Sequence, residues 1–205
     1  MKIAATMIAA LVGMLAGFQA HAQSSSVYIG ASGGAVWTDA ANSVASNSRG
    51  GIHDESVPNG FKVFGGRIRD NFGIELAYYY LGKFDIVTPG TGGILDQLET
   101  RALAVSGVYS APLGHGYNFI AKLGIAFTEA QYDCRTGGCG SAPLIDTRRR
   151  GNSGLIGLGI TSQVSSNVAL RMEFEHIGNV RHAMSNTVFF NDGYDMFSVG
   201  LHLNF

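Results

Sequence analysis

Charge is scarce in this sequence. Asp, Glu, Lys and Arg make up 14% of its 205 residues, against about 25% in soluble domains. So few ionised side chains cannot cover a water-facing surface of this size, and a second solvent or a large oligomer is needed. The net charge of −1 gives no electrostatic footprint for nucleic acid or another strongly charged partner. Proline is rare at four residues, whereas glycine reaches 29. Beyond the first 22 residues, no apolar run approaches the ~20 residues of a spanning helix. The mature chain is therefore not a helical membrane protein. Only two cysteines are present, short of the four ligands of a structural zinc site. His53, His115, His182 and His202 are scattered without ligand spacing. No metal and no cofactor are expected.

The first stretch supplies an address. Lys2 precedes an apolar run from Ile3 to Phe18, and Ala20-His21-Ala22-Gln23 follows. A basic start, a short apolar core and an A-x-A ending make a secretory signal peptide, residues 1–22, cut after Ala22. A membrane anchor is the alternative, but the run is too short to span. Export brings Cys134 and Cys139 into an oxidising compartment, where a small-loop disulfide across "CRTGGCG" is expected.

Residues 23–205 read as one domain of alternating segments: 27–37, 61–68, 72–84, 101–111, 117–130, 154–164, 168–175 and 196–205. In the fifth, Phe119, Ala121, Leu123, Ile125 and Phe127 share one face, and Asn118, Lys122, Gly124, Ala126 and Thr128 share the other. A period of two marks strands with one apolar face. The connections alternate as well. "RDN", "PLGHG" and "SSN" are short, while 38–60, 85–100, 131–153 and 177–194 are long and rich in turn-forming residues. Turns at one rim and loops at the other describe an up-and-down antiparallel barrel.

Alternation alone does not say which solvent meets which face. The strands match the ~9–11 residues of a tilted bilayer crossing. Trp37, Tyr78 and Tyr80 gather toward the loop rim, and Phe72, Tyr117 and Phe205 toward the turn rim, as interfacial girdles do. The polar parity is dense in Gly and Ala. These features favour an all-β, eight-stranded transmembrane barrel, apolar outside and polar inside. Closure is required, since an open edge in lipid leaves backbone groups unpaired. Arg67, Glu75, Lys122, Arg171, Glu173 and Glu175 are the expected interior ion-pair residues, because buried charges need partners. Eight strands leave a lumen just wide enough for side chains, so a wide pore is not expected.

"FGIELAYYYLGKFD", "NVALRMEFEHIG" and the closing "YDMFSVGLHLNF" resemble the third, seventh and last strands of the OmpA-like outer-membrane barrels. The resemblance covers essentially all of 27–205. It implies a bacterial outer-membrane location, with extracellular loops and both mature termini in the periplasm. It also implies that Glu75 and Arg171 form an interior ion pair obstructing the lumen, and that the barrel-assembly machinery recognises the terminal Phe205. Outer-membrane lipid and lipopolysaccharide would surround the wall, and a host or phage ligand could meet the loops.

A structural or surface-interaction role without catalysis is the leading reading, with a lipid A-modifying enzyme and a narrow ion channel as alternatives. Lipid A deacylases of similar size carry a His-x-Ser pair. Here "EHIGN" has His176, but Gly178 stands where the serine would be, and the His182 and Ser185 spacing differs. A nucleophile needs its base within hydrogen-bond reach. Arg148, Arg149 and Arg150 sit where the third long loop enters strand six. They read equally as a lipopolysaccharide phosphate contact and as a solvated charge run.

Overall fold

The alternating segments close into an antiparallel barrel in the computed structural model, which describes residues 25–38, 52–53, 59–87, 94–134, 147–183 and 189–205. Eight strands form the wall: β1 (Ser25–Thr38), β2 (Asn59–Arg69), β3 (Phe72–Val87), β4 (Ile94–Gly114), β5 (Tyr117–Cys134), β6 (Thr147–Gln163), β7 (Val168–Ala183) and β8 (Phe189–Asn204). Each pairs antiparallel with its neighbours in the chain, and β1 pairs with β8 to complete the ring. A two-residue strand, Ile52–His53, adds to the loop end of β3. The expected signal peptide lies outside the described residues, as does Cys139 and with it the expected disulfide to Cys134.

Tight connections make one rim. Asp70 turns β2 into β3 with a φ of 58°, and His115 (φ 53°) sits between Gly114 and Gly116, both also at positive φ. Asp and Gly adopt this left-handed region more readily than most residues. The opposite rim carries the long connections.

Strands run well past the apolar alternation that predicts them. Residues 94–100, 131–134, 147–153, 177–183 and 189–194, expected as loop, are strand. The physical reason is an inversion of facing. In the half of the wall nearer the turns, Ile74, Leu123, Ile125, Leu158, Phe174 and Leu201 point outward and are exposed, Leu123 to 73%. Their neighbours Glu75, Lys122, Glu173 and Glu175 point inward and are buried. Nearer the loops the pattern reverses. Leu81, Leu98, Ala130, Leu155, Ile177 and Met196 turn inward and are buried. Lys83, Arg101, Arg150, Asn152 and His176 turn outward. Along β7 the change takes place within four residues: Phe174 out, Glu175 in, His176 out, Ile177 in.

Each half satisfies a different solvent. The continuous apolar band on the lower wall exceeds what a soluble monomer exposes, and it suits acyl chains. The upper section has an apolar core with Val36, Phe84, Val180 and Tyr194 at its centre, and a polar exterior suited to water.

Two bulges keep the upper core filled. At Gly82 (φ 89°) the pairing of β3 with β4 slips between Tyr80 and Lys83. At Asn179 (φ 55°) the pairing of β7 with β8 slips between Ile177 and Val180. An extra residue re-phases the strand. Leu81 and Phe84 therefore both face inward, as do Ile177 and Val180, although each pair is three residues apart.

Candidate functional site

The lower lumen holds a closed ionic cluster. Glu75 reaches in from β3, Lys122 from β5, and Arg171, Glu173 and Glu175 from β7. Lys62 of β2 completes the set and is fully buried. Three cations thus face three carboxylates. Lys122 Nζ lies 3.0 Å from Glu75 Oε1 and 2.7 Å from Glu173 Oε1, and it also pairs with Glu175. Arg171 Nη2 lies 2.7 Å from Glu75 Oε2 and 2.8 Å from Glu173 Oε1. Lys62 Nζ pairs with Glu173 and lies 2.6 Å from Glu175 Oε2. No pairing is private, so moving one side chain disturbs at least two others.

Aromatic residues frame the charges. Tyr28 OH donates to Glu75 Oε2 at 2.8 Å, and Tyr79 OH donates to Glu175 Oε1 at 2.7 Å. The Phe64 ring lies 4.4 Å from Arg171 Cζ and 5.0 Å from Lys62 Nζ, within cation–π range. In a low-dielectric interior these charges are tolerable only because each is paired and hydrogen-bonded. The apolar upper core begins directly above, with Leu81 and Tyr79 in the same cluster of buried side chains. Charge and hydrocarbon both line the lumen.

One expected member is misplaced. Arg67 shares its parity with Phe61 and Val63 and is exposed on the outer wall near the turn rim. Strand β2 points its even-numbered residues inward, so Lys62 takes the interior position that sequence reasoning gave to Arg67 and missed at residue 62. Apolar Phe61 and Val63 on either side of Lys62 were the available signal.

The arginine triple is strand rather than loop entry. Arg148 and Arg150 face outward, and Arg149 falls on the opposite parity, so the three do not form one patch. Glu129 Oε2 accepts from Arg150 Nε at 2.7 Å, and Arg148 Nε lies 3.5 Å from Glu129 Oε1. On the neighbouring strand β7, His176 Nδ1 donates to Asp195 Oδ1 of β8 at 2.7 Å, with both side chains nearly half exposed. A Cβ added to Gly178 would lie 3.3 Å from His176 Nε2, so the position facing this base carries no hydroxyl. Backbone strand includes His182, while Ser185 lies outside the described residues. At the turn rim the Phe205 side chain is 71% exposed, and its backbone N–H donates to Val27 O at 2.8 Å.

Comparison with known proteins places this architecture. The OmpA-like transmembrane domain model matches residues 22–205. No curated protein sequence matches the chain. Among solved structures, Neisserial surface protein A is similar at 11% identity over 87% of this chain and 97% of that one, with a TM-score of 0.56. OprG from Pseudomonas aeruginosa is similar at 12% identity over 92% and 99%, with a TM-score of 0.55. Ail, the attachment invasion locus protein of Yersinia pestis, is similar at 14% identity over 88% and 97%, with a TM-score of 0.52. Identities this low establish a shared fold and nothing finer. With the family match spanning the whole barrel, the chain is a small eight-stranded outer-membrane barrel and belongs to the OmpA-like transmembrane domain family.

Proposed function

We propose that this protein is a closed, non-catalytic barrel of the outer membrane whose loops face the cell exterior and carry a surface-interaction role. Both mature termini then lie in the periplasm, where Phe205 presents an exposed ring for the barrel-assembly machinery. A host or phage ligand would meet the loops, because a rigid scaffold concentrates specificity in its connections. The observation that carries the reading is the lumen. The ionic cluster of Lys62, Glu75, Lys122, Arg171, Glu173 and Glu175 lies beneath the apolar layer of Leu81, Leu98, Leu155, Ile177 and Met196. An ion reaching this cluster from the loop rim would have to cross that hydrocarbon layer. Gly178, in the place where a serine would face His176, supports the absence of catalysis.

A narrow ion channel is the second reading. It is favoured by Arg171 Nε, Ser32 Oγ, Ser198 Oγ and His202 Nδ1, which are buried without a protein partner among the described residues. Register places Ser32 and Arg171 opposite Gly200, between Ser198 and His202. Planar-bilayer recording separates the two. A closed barrel gives no stepwise conductance; discrete steps abolished by Arg171→Gln would establish the channel.

A further inference from the structure

We propose that the outer wall carries a binding site for the phosphorylated glycolipid of the outer leaflet, formed by Lys83, Arg101, Arg148 and Arg150 around Glu99 and Glu129. The inference rests on the proposed orientation of the loop rim toward the outside. It goes beyond the arginine triple, because half of the cations come from β3 and β4, and Arg149 takes no part.

The site is built by register. Arg101 on β4 is the partner of Glu129 on β5, which is in turn the partner of Arg150 on β6. Strands lie about 4.8 Å apart, so the two guanidinium-bearing positions stand about 10 Å apart with a carboxylate between them. A second row lies two residues nearer the loops, where Lys83 is the partner of Glu99, and Gln131 of Arg148. Glu99 is shared between Lys83 Nζ at 3.2 Å and Arg101 Nε at 2.6 Å. Glu129 is shared between Arg148 and Arg150. Within this set four cations bracket two carboxylates.

Placement identifies the ligand. On β4 and β5 the row sits immediately above Leu103 and Phe127, the top of the acyl-facing band, while on β6 Asn152 and Gly154 lie between Arg150 and Ile156. A molecule bound here has hydrocarbon below and anionic oxygens above, as a phosphorylated lipid does. Glu99 holds Arg101 through both Nε and Nη2, and Arg148 Nη2 donates to Gln131 Oε1 at 3.1 Å, but Glu129 holds Arg150 through Nε, and the Nη groups of Arg150 have no partner among the described residues. Its side chain is 67% exposed. Guanidinium groups offer paired N–H donors that suit phosphate. Further round the ring the described residues of the outer face include the His176–Asp195 pair and Trp37 instead.

The test uses the full-length protein in detergent, titrated with bisphosphorylated lipid A or with the same lipid after dephosphorylation. Binding about tenfold tighter to the phosphorylated form, weakening with added salt, is expected. The triple variant Arg101→Gln/Arg148→Gln/Arg150→Gln should lose that preference, whereas Arg67→Gln/Arg69→Gln at the other rim should keep it. Equal affinity of wild type for the two lipids overturns the proposal without recourse to any variant. Equal competition by free inorganic phosphate at the same concentration also overturns it, since acyl chains would then contribute nothing. Orientation is tested separately by labelling Asn152→Cys with an impermeant reagent on intact cells. A buried label site there, with lipid A preference intact, refutes the orientation alone.

Discussion

Removing one member of the ionic cluster strands its neighbours. Glu75 meets Lys122, Arg171 and Tyr28 at once. In Glu75→Ala three buried cations face two carboxylates, and breaking a buried pair costs about 3–5 kcal/mol. The urea midpoint, read by the difference in migration between boiled and unboiled protein, should fall accordingly; an unchanged midpoint contradicts the pairing. Most of the cluster is legible in the sequence because its strands alternate cleanly. Glu75 lies between Ile74 and Leu76, Lys122 between Ala121 and Leu123, and Met172 and Phe174 separate the β7 charges. Strand β2 lacks that contrast, since inward Phe64 is as apolar as outward Val63. Lys62 and Arg67 are five residues apart and cannot share a face of a strand, and only the apolar Phe61 and Val63 flanking Lys62 choose between them. Which cation meets which carboxylate is also absent from the pattern, because it depends on closure around the lumen.

Elements extend beyond the point where the apolar alternation stops. Segment 117–130 is readable because apolar residues alternate with small and polar ones throughout. Beyond it, polar and charged residues such as Gln97, Glu99, Gln131, Arg148 and Arg150 take the outer face, while Leu98 and Ala130 turn inward. Short polar stretches with this reversed contrast resemble loops. The bulge at Gly82 shifts the period by one residue and hides the β3 extension further. Gly82→Val forces a branched side chain to a φ of 89°, at a cost of about 1–3 kcal/mol, and should lower the unfolding midpoint. Closure of the ring is more demanding. A Cβ on Gly34 would lie 1.8 Å from the Phe197 carbonyl oxygen across the β1–β8 seam. Gly34→Val should therefore abolish the compact, fast-migrating form, while Gly154→Ala, which meets nothing within 4 Å, should leave it unchanged. A seam tolerant of Gly34→Val contradicts this register.

At the scale of the whole molecule, two solvents divide one cylinder. The lower wall turns hydrocarbon outward and seals its charges inside; the upper wall folds like a soluble barrel around Leu155, Ile177 and Tyr194. Gly-rich strands and a low charge content predict the first arrangement, and the second emerges only from pairing beyond the apolar band. The boundary between them fixes the depth of the molecule in the bilayer. Single spin labels, placed in a background with both cysteines replaced, read that boundary directly through collision with oxygen or with a water-soluble nickel chelate. Labels at Leu123, Phe174 and Leu201 should favour oxygen, those at Arg150 and His176 the chelate, and those at Leu155 and Ile177 should meet neither. Chelate access at Leu155 or Ile177, or at Phe174 in lipid, would contradict the inversion on which the proposed closure of the lumen depends.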